Sequence, residues 1–277
     1  MSGAADRVQA PFGTREVPII GTEEIGPYRV FSCADEDGPQ PAAGQFYMLA
    51  STEGWGGGSD ERPYLPRAIS VLAAGDGQLS FVLEAVGPGT ERLAALEEGD
   101  ALRLLGPLGN GFTAPQAGVR AILCGGGIGV APLAILQQEL VAQGHEVTAL
   151  LGFRDGEHAA GAEFLDAVLV ATDDGSVGHA GLVTELLLAE LDRDANAVIY
   201  SCGPPQMLDA VRAISVASGV PAQLALEAPM ACGYGACYGC VVKCADGSLR
   251  RSCVDGPVLE AGELAAEWLS GGADDGR

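Results

Sequence analysis

The sequence predicts a chain of three parts: an antiparallel β-barrel over residues 1–115, a doubly wound parallel α/β domain over 116–227, and a small cysteine-rich domain over 228–277. Three observations lead there. Short segments of alternating apolar character, broken by Gly, Pro and Asp turns, fill the first part. The pattern then changes to repeated strand, turn and amphipathic helix. Five of the eight cysteines fall between Cys232 and Cys253.

In the first part, strands are expected at residues 17–20, 28–33, 45–49, 69–72, 79–84 and 101–105, a spacing suited to a small barrel. The glycine-rich stretch 54–62 interrupts them and reads as a flexible insertion with no chemistry of its own. Two places stand out. Arg67-Ala68-Ile69-Ser70 sets an arginine at the mouth of an apolar strand, and Gly87-Pro88-Gly89-Thr90 opens a short helix with Thr90 as its expected N-cap. A guanidinium facing free helix amides makes a pyrophosphate clamp. Taken singly, Arg67 reads as well as a solvated strand end, and Thr90 as a plain cap. Residues 106–112 form a tight turn closing this part, with Phe112 against a ring or in the core.

In the second part, strands are expected at 119–124, 146–151, 167–172, 197–202 and 223–227, with helices at 131–142, 182–191 and 205–218. Ligands of such sheets lie beyond the carboxyl ends of the strands. Those ends carry Gly125, Gly126, Gly127 and Gly129, then Gly152-Phe153-Arg154, Asp173-Asp174, Cys202 and Glu227. The glycines would let a dinucleotide's pyrophosphate approach the backbone, or they make only a sharp connection. Cys202 and Glu227 stand where a nicotinamide would react; a packed thiol and a solvated carboxylate are the plainer readings. His145, His158 and His179 show no ligand spacing, and surface roles suffice for them.

In the third part, Cys232, Cys237, Cys240 and Cys253 read C-x4-C-x2-C-x12-C. The opening is the plant-type [2Fe–2S] arrangement, with an early fourth cysteine. Interleaved glycines let backbone N–H groups turn toward bridging sulfides. Structural zinc and a disulfide are the other readings, although zinc ribbons usually offer two C-x2-C knuckles and this segment has one. Cys244 reads as a small thiol beside the centre.

The bulk numbers exclude several classes. With 277 residues and 48% apolar content the chain can bury a sizeable core. A net charge of −22 with 15 Lys plus Arg opposes nucleic-acid binding, so a bound phosphate must be met by amides and a few arginines. No apolar run reaches the length of a membrane span, and residues 1–15 lack a secretory layout, so the expected compartment is the cytoplasm. Cysteines in such a chain serve metal or packing more than disulfides.

The order of parts resembles a known family. Arg67-Ala-Ile-Ser70, Gly87-x-Gly-Thr90, Leu105-Gly-Pro-Leu-Gly-Asn-Gly-Phe112, Gly125-Gly-Gly-Ile-Gly-Val-Ala-Pro132, Ser201-Cys-Gly-Pro204 and the cysteine loop ending in Cys253-Val-Asp-Gly-Pro257 are similar to motifs of the electron-transfer subunit of NAD-dependent dihydroorotate dehydrogenase, within the ferredoxin reductase superfamily. The resemblance implies a multidomain β + α/β fold: an antiparallel FAD-binding β-barrel, a doubly wound parallel α/β NAD-binding domain and a small C-terminal [2Fe–2S] cluster domain. It implies FAD held by Arg67, Ala68, Ile69, Ser70, Gly89 and Thr90 and bordered by Val82, Leu83 and Glu84, with the four cysteines as cluster ligands. Ala68 replaces the family's proline. It implies as partner an FMN-containing catalytic subunit that oxidises dihydroorotate, two of each chain forming a heterotetramer. NAD is expected over NADP because no basic pair marks a 2′-phosphate pocket, although Arg154 stands near. Competing expectations are an NAD(P)H-dependent ferredoxin reductase, a sulfide dehydrogenase or a hydrogenase diaphorase subunit on the same scaffold, and, from another class, a non-enzymatic zinc-containing regulatory or assembly protein.

Overall fold

The computed structural model describes residues 14–56 and 63–268. Six antiparallel strands close a barrel in the order β1-β2-β5-β4-β3-β6: β1 (Arg15–Ile25), β2 (Tyr28–Ala34), β3 (Phe46–Ser51), β4 (Arg67–Gly75), β5 (Gln78–Glu84) and β6 (Ala101–Leu108). All six are the strands expected from the alternating pattern. Closure removes the exposed edges that an open sheet of this size would present. Phe31, Tyr47 and Phe81 are fully buried inside it.

Between β5 and β6 lies α1 (Pro88–Ala94), whose start corrects one expectation: Gly87 is the N-cap, and Thr90 sits at the third helical position. The Thr90 hydroxyl accepts the Val86 and Gly87 N–H groups at 3.0 and 3.2 Å, a reach back from inside the first turn. Pro88 accounts for the shift, because its fixed φ favours the first helical position and it has no N–H to satisfy. The predicted insertion is corrected too. Its residues 57–62 lie outside the described residues. Trp55 before them packs against the barrel core and lies under the Arg67 guanidinium, 5.7 Å from ring centroid to Cζ.

The second layer begins with β7 (Arg120–Gly126), a single 3-10 turn at Gly127–Gly129, α2 (Val130–Ala142) and β8 (Val147–Phe153). It continues through β9 (Val168–Thr172), β10 (His179–Ala180), α3 (Val183–Arg193), β11 (Ala197–Cys202), α4 (Pro205–Ser218) and β12 (Ala222–Ala225). The chain then passes through the cysteine loop to β13 (Val241–Lys243), β14 (Leu249–Arg251), α5 (Ser252–Asp255) and β15 (Val258–Glu260). The sheet runs β10-β9-β8-β7-β11-β12-β15, parallel throughout except for β15, which lies antiparallel to β12. Strand order reverses between β7 and β11, which creates a crevice at their carboxyl ends. The two short strands β10 and β15 were not expected from the sequence.

Helices cover both faces. Leu133, Ile135, Leu136 and Leu140 of α2 belong to one apolar core that runs without a break into the barrel. Leu187 and Leu191 of α3 and Leu208 and Val211 of α4 fill a separate core on the opposite face, closed by Leu259, Leu264 and Trp268. Among the described residues no helix is long and apolar enough to cross a membrane.

One buried ion pair fastens α3 to the sheet. Arg120 Nη1 donates to Glu190 Oε2 at 2.9 Å, and its Nη2 donates to the Glu190 and Asp194 carbonyls at 2.6 and 2.5 Å. Both side chains are nearly enclosed. Arg120→Ala is expected to lower stability by about 2–3 kcal/mol, as read from urea unfolding of the purified protein, because it strands two carbonyls and leaves Glu190 only its 3.0 Å pair with the exposed Arg193. A change under ~1 kcal/mol would contradict it.

Candidate functional site

Register explains what gathers at the crevice. Parallel pairing sets Gly125 beside Cys202 and Cys202 beside Ala225, so the glycine turn, Gly203 and Glu227 leave the sheet side by side. Two cavities open there. The first, about 330 Å³, lies between barrel and sheet and is lined by Ala68, Ile69, Ser70, Val82, Leu83 and Thr90 from the barrel side. From the sheet side come Gly129, Cys202 and Glu227, and Phe46 and Met230 complete it. The second, about 550 Å³, lies over the strand ends and is lined by Gly126, Gly127, Arg154, His158 and Asp173 among others. Glu84, Ile128 and Glu227 line both, and so form the wall between them.

Of the residues expected to hold FAD or the dinucleotide, Arg67, Gly89 and Gly125 line neither cavity. Arg67 packs its guanidinium against the Gly89 backbone so closely that a Cβ at Gly89 would overlap it. The arginine therefore faces the start of α1, held by a 2.5 Å bond from Nη1 to the Leu65 carbonyl and by Trp55 beneath it, with no carboxylate partner among the described residues. Gly125 is a packing residue in this structure. A Cβ there would stand 2.7 Å from Leu151 Cδ2 and 2.8 Å from Leu133 Cδ1, so its glycine lets α2 lie close on the sheet.

The other turn glycines divide by what lies above them. A Cβ at Gly129 would overlap the Cys202 carbonyl, and one at Gly126 would meet Met207 Sδ at 2.6 Å. Gly127 has φ +52° and open space above it, so this is where a ligand can reach the backbone. The 3-10 turn runs straight into α2, with the Val130 N–H donating to the Gly127 and Ile128 carbonyls; the turn has no side-chain cap, so the amides open to an anion are those of the glycine turn itself.

Cys202 is buried, and burial first, then the charge of Glu227, pushes its thiol well above the usual range. The thiol stays protonated and offers apolar contact without ionising. Glu227 touches solvent at the mouth of the wall yet is surrounded by protein, and that desolvation raises its carboxyl.

The cysteine loop lies on the barrel. Gly233 and Gly235 take φ of +78° and +86°. A Cβ at Gly233 would stand 2.5 Å from Met48 Cγ, so only glycine lets the loop seat on β3. Cys240 and Cys253 are buried in an apolar cluster with Phe46, Met48 and Leu108, their sulfurs 3.2 Å apart. Cys237 is exposed, and its sulfur accepts the Gly239 N–H at 3.4 Å. Partial burial pushes the Cys232 thiol up, but hydrogen bonds from the Cys237, Tyr234 and Ala236 amides and from the Cys237 thiol outweigh it and bring the pKa down to about 7. No three His, Cys, Asp or Glu side chains among the described residues close around one ion-sized point. The sulfurs stand as two pairs, Cys232 with Cys237 and Cys240 with Cys253, which suits a centre whose two irons share four thiolates. Cys244 is buried on the far strand pair and bridges to Leu264.

Residues 227–265 match the iron–sulfur cluster binding domain of dihydroorotate dehydrogenase B. The chain is 37% identical over 219 residues to the dihydroorotate dehydrogenase B (NAD(+)) electron transfer subunit of Desulforamulus reducens, covering 76% of this chain and 84% of that one. The corresponding subunit of Bacillus caldolyticus is 42% identical over 216 residues, covering 73% and 80%. The chain belongs to this family of electron-transfer subunits. Its architecture is also similar to a solved NADH-dependent reduced ferredoxin-NADP oxidoreductase studied for flavin-based electron bifurcation, with TM-score 0.78, 26% identity and coverage of 94% of this chain and 93% of that one.

Two residues of the site have places that the sequence did not assign. Phe46 is an unremarkable apolar position in the third barrel strand. His158 was given a surface role, but it is buried in the wall of the second cavity between Asp155 and Glu84. The Asp155-x-x-His158 spacing at the end of β8 was the available signal. In protein stripped of any metal centre, alkylation of Cys232 by iodoacetamide is expected to rise through about pH 7, because its lowered pKa brings the thiolate in early. Cys253, pushed up to about 12 by burial and by the Cys240 thiol, is expected to stay unlabelled there. Mass mapping of labelled peptides checks the order, and Cys253 reacting first would contradict it.

Proposed function

We propose that this chain takes electrons at its cysteine loop from an FMN-containing subunit that oxidises dihydroorotate, and delivers them to NAD in an assembly of two chains of each kind. The observation that carries the reading is Phe46. It lines the first cavity and packs in one apolar cluster with Cys240 and Cys253, so the cavity and the thiolates share a single layer of side chains.

In this reading FAD occupies the first cavity, a [2Fe–2S] cluster the four thiolates and the nicotinamide nucleotide the second cavity. When bound, a flavin exchanges a hydride with nicotinamide and single electrons with an iron–sulfur centre. The residues do the positioning. Arg67, preset between Trp55 and Gly89, and the start of α1 meet the flavin pyrophosphate. Ile69, Val82 and Leu83 give the ring an apolar bed, and Ser70 and Glu84 supply polar contacts at its rim. Gly127 and the amides of the uncapped glycine turn take the nucleotide phosphates. Cys202 and Glu227, both of which line the first cavity, flank the place where the two rings approach.

NAD suits the second cavity better than NADP. Among the described residues Arg154 is the one arginine or lysine that lines it, and it already pairs with Glu84 and Asp155, each at 3.4 Å. Exposure of Cys237, Tyr234 and Tyr238 leaves the cysteine loop open to a partner protein. A cytoplasmic setting suits a chain whose eight cysteines are all free.

Co-expression with the catalytic subunit and anaerobic purification test the reading. The complex should reduce NAD in a dihydroorotate-dependent way, whereas ferredoxin reduction by the chain alone, with no dihydroorotate activity in the complex, would refute it. Cys237→Ser is expected to abolish the iron–sulfur electron paramagnetic resonance signal while flavin absorbance remains. Arg67→Ala is expected to weaken FAD binding by about 10- to 100-fold, the worth of a charge-assisted bond of ~1.5–3 kcal/mol, measured by flavin fluorescence on dilution. Retained affinity would contradict the clamp.

A further inference from the structure

Hydride transfer requires two rings to approach to about 3–3.5 Å. The first cavity is built mainly on the barrel and the second on the parallel sheet, so neither layer can set that distance alone. At the seam between them stands a small charged cluster. Glu84 ends β5 on the barrel; Arg154, Asp155 and His158 follow β8 on the sheet.

His158 is the buried member, its side chain 7% exposed. Its Nδ1 lies 2.7 Å from Asp155 Oδ1, and its Nε2 lies 3.4 Å from Glu84 Oε1, so the two ring nitrogens face carboxylates from opposite sides of the seam. Arg154 reaches the same Glu84 oxygen at 3.4 Å, and its Nε pairs with Asp155 Oδ2 at 3.4 Å. The backbone is held as firmly. The His158 N–H donates to Asp155 Oδ1 at 3.0 Å, and the Tyr28 hydroxyl of the barrel donates to the His158 carbonyl at 3.1 Å. The Tyr28 ring meets the imidazole edge-on with centroids 6.1 Å apart. A Cβ at Gly26 would stand 2.7 Å from the Glu157 carbonyl, so there is no slack where this turn meets the barrel. Glu84 itself lines both cavities.

We propose that His158 is a positioning residue for hydride transfer, holding Glu84 and the end of β5 against the end of β8 so that the two cavities keep one register. It acts through Glu84. The inference rests on the reading that flavin and nicotinamide occupy these two cavities. A histidine that merely stabilised the fold would, when replaced, lower stability and cofactor content together; a positioning residue lowers the transfer rate while binding persists.

The test uses the full-length protein with its flavin and cluster bound, kept anaerobic. His158→Leu removes both polar contacts, and His158→Gln retains one donor for Glu84. Stopped-flow reduction of the flavin at saturating NADH is expected to slow about 10- to 100-fold in His158→Leu and to recover most of its rate in His158→Gln. Flavin content, and ADP-ribose affinity by calorimetry, are expected to stay within twofold, since that probe lacks the reacting ring. His158→Asn, which keeps a donor for Asp155 but is too short to reach Glu84, is expected to slow reduction as His158→Leu does, and it decides the matter should the leucine variant fail to fold. A His158→Leu rate within twofold of the unmodified protein, or a slowing fully matched by loss of flavin or of ADP-ribose binding, would overturn the inference. Failure of NADH to reduce the flavin of the unmodified protein would overturn the underlying reading as well, so the two failures are told apart by which protein shows them.

Discussion

Two cavities on different layers share one wall, and the molecule is arranged around keeping that wall thin and fixed. Glu84 comes from the barrel, Ile128 from the glycine turn and Glu227 from the end of the last parallel strand. Each lies at the end of an element whose register is set by a buried sheet, so the wall inherits the rigidity of both layers. The continuous apolar core from barrel through α2 into β8 supplies the bulk of the cohesion. Dispersion and burial do not select direction, however. The polar contacts at the seam and the absence of side chains at Gly125, Gly126 and Gly129 decide how closely the parts approach.

The same logic operates on the other side of the first cavity. Antiparallel pairing sets Phe46 opposite Ser70 and Met48 opposite Ala68, so β3 stands between the residues that line the cavity and the loop that carries the sulfurs. Gly233 seats that loop directly on Met48. A chain of contacts therefore runs from the second cavity through the shared wall to the first, and from there through β3 to the cysteine sulfurs. This is the arrangement an electron-transfer subunit requires.

Much of this could be read in the residues. The barrel strands announced themselves by period-2 alternation, and β11 and α4 began and ended where Gly203-Pro204 and Gly219 punctuate the chain. The cysteines were selected by spacing alone. What escaped notice was whatever depends on two distant segments meeting. His158 has no local sign of burial, because its neighbours Glu84 and Tyr28 arrive from the barrel. Trp55 sat inside a glycine-rich stretch that composition marked as loop, and its packing on the core is a tertiary effect. Thr90 was misplaced by one turn because a proline at the first helical position competes with a threonine for where the helix starts. β10 and β15, at two and three residues, are too short to show a period.

Strand β15 carries a consequence for how the cysteine segment relates to the rest. It returns after the loop to cover β12, pairing Gln223 with Glu260 and Ala225 with Val258. The sulfur-bearing segment is thus an excursion between two adjoining strands of one sheet, anchored at both ends. Excising it would strip β12 of its neighbour and leave a row of unpaired amides and carbonyls open to other chains. The parallel layer and the cysteine loop are in this sense tied together through one shared sheet edge.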